Sequence, residues 1–164
     1  MIASCIRKGS LVNSPYASHL PVLKNAMWRL KPKRILEYGS GEASTPLFLG
    51  YTYVEHMVTV ETSPKWRKWL SEHCPDPRLE VHDGGYPAAA DFDLVLIDDG
   101  DHDVHRLRTI HHVLSEPHPT VVIHDADHGH YQTAIREHVT DFEIYRTSPH
   151  TAVIPATNTQ ESHV

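Results

Sequence analysis

Cysteine is scarce in this chain: Cys5 and Cys74 are the only two, widely separated, and neither belongs to a Cys-x-x-Cys pair. That argues against a disulfide framework or a zinc ribbon and for a reducing compartment. Long apolar runs are missing as well. No stretch approaches the ~18 consecutive apolar residues of a membrane span, and the N-terminus carries no apolar signal-peptide core. The expectation is a soluble, cytoplasmic protein with no membrane partner. Positive charge is also in deficit. The net charge is −6 with histidine neutral, which opposes nonspecific binding to nucleic acid. A local basic patch (Arg7, Lys8, Lys31, Lys33, Arg34) reads as a solvated face. No internal repeat or low-complexity segment is present.

Histidine, by contrast, is abundant: 15 of 164 residues, nine of them crowded into 102–138. The charge must therefore swing sharply between pH 7 and 5. The length suits a single domain, by the usual ~100–200 residues each. Within it, 1–32 reads as an N-terminal helical segment, 33–155 as the core, and 156–164 as a polar tail expected to fray.

Hydrophobic spacing gives the elements in order. Ser14-Pro15 marks a helix start, with Leu20, Leu23, Ala26 (or Met27) and Leu30 at helical spacing; Pro21 allows a later start, and Lys31-Pro32 ends the helix. Strands follow at 33–38, 56–61, 79–83, 92–98 and 119–125, with helices at 43–51, from Ser63-Pro64 to Cys74-Pro75, at 103–114 and around 130–139. The 103–114 helix is expected to bury Val104, Leu107, Ile110 (or His111) and Leu114. Trp66 and Trp69, three residues apart on a helix, read as packing rather than base stacking. Strands at 142–146 and 151–154, joined by Thr147-Ser-Pro-His150, close the chain as an antiparallel hairpin. Leu94–Ile97 and Val121–Ile123 are continuous apolar runs, as in parallel strands buried on both faces. Strand–helix alternation then predicts an α/β, doubly wound, mostly parallel Rossmann-like sheet.

Five successive strands finish in a carboxylate: Glu37, Glu61, Asp83, Asp98 and Asp125. In an open parallel sheet these ends share one edge, where ligands bind at the topological switch point. The first strand runs into Gly39-Ser-Gly41, a turn whose backbone N–H groups can approach a ligand. Glu61 lies twenty residues past Gly41, the separation at which an acid reaches ribose hydroxyls in nucleoside-binding sheets. A dinucleotide fingerprint would need glycine at 44, which is Ser44. Glu37 would repel phosphate but suits an ammonium. A ligand with a ribose, an adenine and a cationic amino-acid end fits this edge better than a pyrophosphate.

On these residues the chain resembles a class I S-adenosylmethionine-dependent methyltransferase over ~33–154. The family's first motif matches Glu37-Tyr-Gly39-Ser-Gly41-Glu-Ala43, with alanine in place of the last glycine. Its ribose-binding acid matches Glu61, its adenine-facing position Asp83 with Gly84 following, and its fourth-strand motif Phe-Asp-Leu-Val-Leu-Ile-Asp98. The segment Ile-Asp-Asp-Gly-Asp-His (97–102) is similar to the Asp-Gly-Asp-His segment of a small O-methyltransferase-like group. The resemblance implies a sheet order 3-2-1-4-5-7-6 and S-adenosylmethionine as cofactor. It also implies an N-terminal cover in which Tyr16 and His19 could take part. Catechol-type relatives bind a divalent metal through residues matching Asp98 and Asp125, but Ala126 replaces the asparagine of that site.

Methyl transfer needs a nucleophile held in line with the sulfonium methyl and relieved of its proton. Asp98, His102, Asp125 and His128 are candidate bases at the active edge, with His102 preferred because histidine titrates near neutrality. Asp98, Asp125 and His128 are the candidate metal ligands. Carboxylates there would favour Mg or Ca, and imidazoles Zn, Mn or Fe. The leading reading is methyl transfer to an O or N nucleophile of a small molecule or sugar. Alternatives are a non-catalytic cofactor-binding module, a metal-dependent enzyme built on the cluster spanning 98–130, and, more remotely, an aminopropyl transferase. Self-association to a homodimer stays open.

Overall fold

The computed structural model describes residues 17–100 and 103–157. In chain order the elements are α1 (Leu20–Leu30), β1 (Arg34–Tyr38), α2 (Ser44–Leu49), β2 (His56–Val60), α3 (Pro64–His73), β3 (Leu79–His82), β4 (Leu94–Ile97), α4 (Asp103–Leu114), β5 (Thr120–His124), α5 (Gly129–His138), β6 (Glu143–Tyr145) and β7 (Thr151–Ile154). The seven strands form one sheet in the order β3-β2-β1-β4-β5-β7-β6. The first five are mutually parallel, while β7 runs antiparallel to both β5 and β6. The expected doubly wound sheet and its closing hairpin are both present. The strand order reverses between β1 and β4, and that is where the glycine turn sits.

Alternate strand residues feed two cores, which is why the middle strands read as unbroken apolar runs. Leu36, Tyr38, Val95, Ile97, Val121 and Ile123 pack with Ile110, Val113 and Leu114 of α4 and with Tyr131, Ala134 and Ile135 of α5. Ile35, Met57, Leu94, Leu96 and Val122 pack on the other face with Leu23 and Met27 of α1, Phe48 of α2 and Leu70 of α3. Every residue of β4 is fully buried, each contributing roughly 1.5–3 kcal/mol by burial. Trp66 and Trp69 meet edge to face, and Trp69 packs against the second core.

Local signals explain most boundaries. Helix α1 starts at Leu20, with Pro21 in its first turn and His19 at the N-cap; it ends at Lys31, whose φ of 46° is left-handed. Ser14, Pro15 and Tyr16 lie outside the described residues. Ser63 does precede α3, but its side chain makes no capping bond; its N–H donates to Glu61 instead. The expected buried face of α4 needs correction. Val104 is 57% exposed, whereas Arg106 is 5% exposed. Positions 106, 110, 113 and 114 form the inward stripe, and the first of them is a cation because that end of α4 faces carboxylates. Among the described residues no helix is long and apolar enough to cross a membrane.

Candidate functional site

The turn after β1 is built around two different glycines. Gly39 adopts φ +81°, and a Cβ placed on it would lie 2.4 Å from the carbonyl oxygen of Asp98 and 2.6 Å from Cα of Asp99. Only glycine permits β1 and β4 to close this far. Around Gly41 the nearest atom to such a Cβ is the backbone nitrogen of Ala43 at 3.9 Å, and around Gly84 nothing lies within 4 Å. No packing within the fold demands glycine at these two positions.

Glu37, expected to meet an ammonium, is sealed inside the fold. It is fully buried and accepts hydrogen bonds from Ser44 Oγ at 2.5 Å, Thr45 Oγ1 at 2.6 Å and Thr59 Oγ1 at 2.8 Å. Burial raises its pKa to about 7, against the opposing pull of those three hydroxyls. Its geometry ties β1 to β2 and to the start of α2. Ser44, the residue that breaks the dinucleotide pattern, is thus a partner of Glu37.

Glu61 follows β2 and reaches back to the turn. Its Oε2 accepts from Ser40 N–H at 2.9 Å and Ser40 Oγ at 2.7 Å, while Oε1 accepts from Ser63 N–H at 2.7 Å. Each carboxylate oxygen has two acceptor sites in plane, so Oε1 keeps room for another donor. Glu61 and Gly39 line a groove of about 450 Å³ together with Tyr38, Gly84, Gly85, Tyr86, Asp99, Gly100, His105 and Thr109. Asp83 is exposed at the end of β3. Asp99 was not singled out by spacing, yet it belongs to this groove. Its Oδ2 accepts from Thr109 Oγ1 at 2.6 Å, its Oδ1 is buried with no partner among the described residues, and burial pushes its carboxyl above the usual range.

Beside the groove, Asp98 and Asp125 are brought together by Arg106 of α4. The guanidinium donates to Asp98 Oδ1 at 3.0 Å, to Asp125 Oδ2, and to the backbone oxygens of Asp99 and His124 at 3.0 and 3.3 Å. Asp125 itself has φ +57°, a conformation that aspartate tolerates better than most residues. His124 Nδ1 lies 3.0 Å from Asp98 Oδ1, and its Nε2 lies 2.8 Å from Ser18 Oγ. Burial pushes the Asp98 carboxyl up, but the His124 hydrogen bond and the charges of His124 and Arg106 outweigh it, leaving Asp98 below its ordinary value.

His19 stacks obliquely on His124, ring centroids 4.4 Å apart. It is 1% exposed, and neither ring nitrogen has a hydrogen-bond partner among the described residues. Burial lowers its pKa to about 4. The expected metal set of Asp98, Asp125 and His128 is not assembled, because His128 is exposed at the N-cap of α5 and packs near His130 and Tyr131. Asp101 and His102 lie outside the described residues. The residues that sequence spacing missed are Asp99, Arg106 and Ser18. For Arg106 a signal existed: a cation four residues before Ile110 sits on the inward stripe.

A second groove, of about 730 Å³, lies between α1 and the β6–β7 hairpin, lined by Val22, Ala26, Leu30, Phe142 and Tyr145 among others. It includes Thr120, the first residue of β5, so it opens at the opposite edge of the sheet from the carboxylates.

No protein-family model matches the chain, and no curated protein matches it either. Solved structures do. The methyltransferase domain of bacterial CtHen1-C aligns over 87% of this chain and 99% of its own, at 13% identity and a TM-score of 0.63. A 16S rRNA N2 methyltransferase from T. thermophilus (RsmC), solved with AdoMet and guanosine, aligns over 90% of this chain and 44% of its own, at 16% identity and a TM-score of 0.64. The O-methyltransferase TomG from Streptomyces achromogenes, solved with SAM, aligns over 93% of this chain and 92% of its own, at 16% identity and a TM-score of 0.56. At these identities what is shared is the fold: the seven-stranded sheet described above is one this chain has in common with class I S-adenosylmethionine-dependent methyltransferases.

Proposed function

We propose that the chain transfers a methyl group from S-adenosylmethionine to an O or N nucleophile of a small molecule or sugar. The observation that carries this reading is Glu61. Its carboxylate is fixed beside the glycine turn by two backbone N–H groups and one hydroxyl, with acceptor capacity left over on Oε1, and the residue lines the groove. That is the chemistry a ribose diol requires. Gly41 and Gly84 support it, because their missing side chains leave space that the fold itself does not fill.

In this reading Glu61 receives the ribose hydroxyls, and the turn from Gly39 to Gly41 offers backbone to the amino-acid end. Asp83 and Gly84 flank the adenine. Glu37 acts through its three hydroxyl partners, by holding the turn and the start of α2 in register. The bound cofactor would supply an electrophilic methyl group. The chain then has to orient the acceptor, exclude water and take up a proton. Asp98 and Asp125, both ion-paired to Arg106, are oriented at the same edge, and His102 is the proposed proton acceptor. Asp98 also orients His124 through Nδ1.

Isothermal calorimetry with S-adenosylmethionine and S-adenosylhomocysteine tests the reading. Wild-type protein is expected to bind both. Glu61→Ala should weaken that binding by roughly 10- to 100-fold, the ~1.5–3 kcal/mol of a charged hydrogen bond. Absence of binding to either ligand at millimolar concentration would refute it.

A further inference from the structure

We propose that His19, Asp98 and His124 form a binding site for one divalent transition-metal ion of the Zn2+ class. The site does not depend on the chain being a methyltransferase.

Three elements converge to build it. His19 stands at the N-cap of α1, Asp98 directly after β4, and His124 is the last residue of β5. One ligand atom from each lies within 4.8 Å of the other two, and no other group of three such side chains among the described residues does this. The nitrogen-rich donor set selects the metal. Two imidazoles and one carboxylate suit Zn2+ and its neighbours, whereas Mg2+ and Ca2+ prefer oxygen alone. Three protein ligands also leave a coordination position open.

His19 is the independent observation. A buried imidazole with both nitrogens unpartnered among the described residues is costly, because each buried polar atom gives up its bond to water for nothing. Its ring instead lies against His124, with one nitrogen within 4.8 Å of a carboxylate oxygen of Asp98. A metal ion would satisfy one of those nitrogens.

The surroundings suit a cation as well. Arg106 contributes one positive charge and Asp98 and Asp125 two negative ones, so the cluster retains a net negative charge. Around the ligands, Arg106 holds Asp98 in place and Ser18 Oγ faces Nε2 of His124 at 2.8 Å. With the metal on Nδ1, the neutral ring carries its proton on Nε2 and donates it to Ser18 Oγ. Such outer contacts fix tautomer and ring orientation at metal sites.

The test uses tag-free full-length protein, stripped with chelator and dialysed, with no S-adenosylmethionine present. Calorimetric titration with Zn2+ should show one tight ion per chain. His19→Ala should weaken it by roughly tenfold or more, and Ser18→Ala by roughly 10- to 100-fold. His111→Ala, which removes a half-exposed histidine away from the cluster, should leave the tight ion in place. Circular dichroism and melting curves establish that each variant folds. If His19→Ala does not fold, Co2+ bound to wild-type protein decides: an intense visible spectrum of a low-coordinate site with nitrogen ligands supports the assignment. Wild-type protein that binds no Zn2+ tightly, equal affinity in folded His19→Ala, or a weak octahedral Co2+ spectrum would each overturn it.

Discussion

Gly39 and Gly41 look equivalent in sequence and are not equivalent in the fold. A Cβ on Gly39 meets backbone atoms at 2.4–2.6 Å at a positive φ, whereas one on Gly41 meets nothing closer than 3.9 Å. Gly39→Ala is therefore expected to lower stability by roughly 3–5 kcal/mol, combining overpacking with left-handed strain. Gly41→Ala should change stability by no more than about 0.5 kcal/mol yet weaken S-adenosylhomocysteine binding by roughly tenfold. Urea denaturation and calorimetry on the two variants separate the roles; equal losses of stability would contradict the assignment. Glu37 makes a different prediction. Burial raises its pKa from 4.5 to about 7, so the folded state holds this proton more tightly than the unfolded chain does. The associated stability is fully present below pH 4.5 and is lost as pH rises through about 7. Glu37→Gln should remove that slope, altering the difference in unfolding free energy between variant and wild type by about 3 kcal/mol across this window. The difference between the two proteins is the relevant measure, because the many histidines titrate in both. Parallel pH profiles would show that the carboxylate stays ionised inside the fold.

At the scale of elements, α4 is where the sequence pattern misleads. Its apolar residues suggest a stripe through Val104, but the inward positions run from Arg106 to Leu114, and the cation is invisible to a hydrophobic template. The guanidinium is buried because Asp98, Asp125 and three backbone oxygens receive it. Arg106→Leu would leave two carboxylates and those oxygens without their donor. It is expected to cost about 3–5 kcal/mol, with Arg106→Lys restoring only part because lysine lacks the planar fork. Thermal melts of the two variants check this; a leucine variant as stable as wild type would mean the pair is merely tolerated. Helix α1 was legible in its end and, through Pro21, in its start. Lys31-Pro32 stops a helix for stereochemical reasons that can be read locally, and Pro21 in the first turn marks the later start, although His19 caps α1 with no side-chain bond. The strand ends were legible because each carboxylate follows an apolar run. Which of them line the groove was not, since Glu37 and Glu61 are both buried and differ in their partners: Glu37 is enclosed by Ser44, Thr45 and Thr59, whereas Glu61 holds Ser40 and Ser63 at the groove wall.

For the whole molecule, the doubly wound, mostly parallel sheet follows from features that are local and repeated, namely continuous apolar strands, helices between them and a short final hairpin, while its strand order was implied by the family resemblance. That much could be read before any coordinates. The charged cluster could not, because Ser18 and His124 are 106 residues apart and meet only when α1 lies against the edge where β5 ends. The same assembly places the groove lined by Glu61 and the imidazole cluster next to one contact, the bare Cα of Gly39 against the Asp98–Asp99 backbone. Gly39 N–H donates to Val60 and Asp98 N–H donates to Tyr38, so this joint has no slack in either direction. Because Asp98 also contacts Arg106 and His124, the one substitution that forces this joint apart, Gly39→Ala, is expected to disturb the groove and the cluster together, which a loss of both S-adenosylhomocysteine and Zn2+ binding in the folded variant would register.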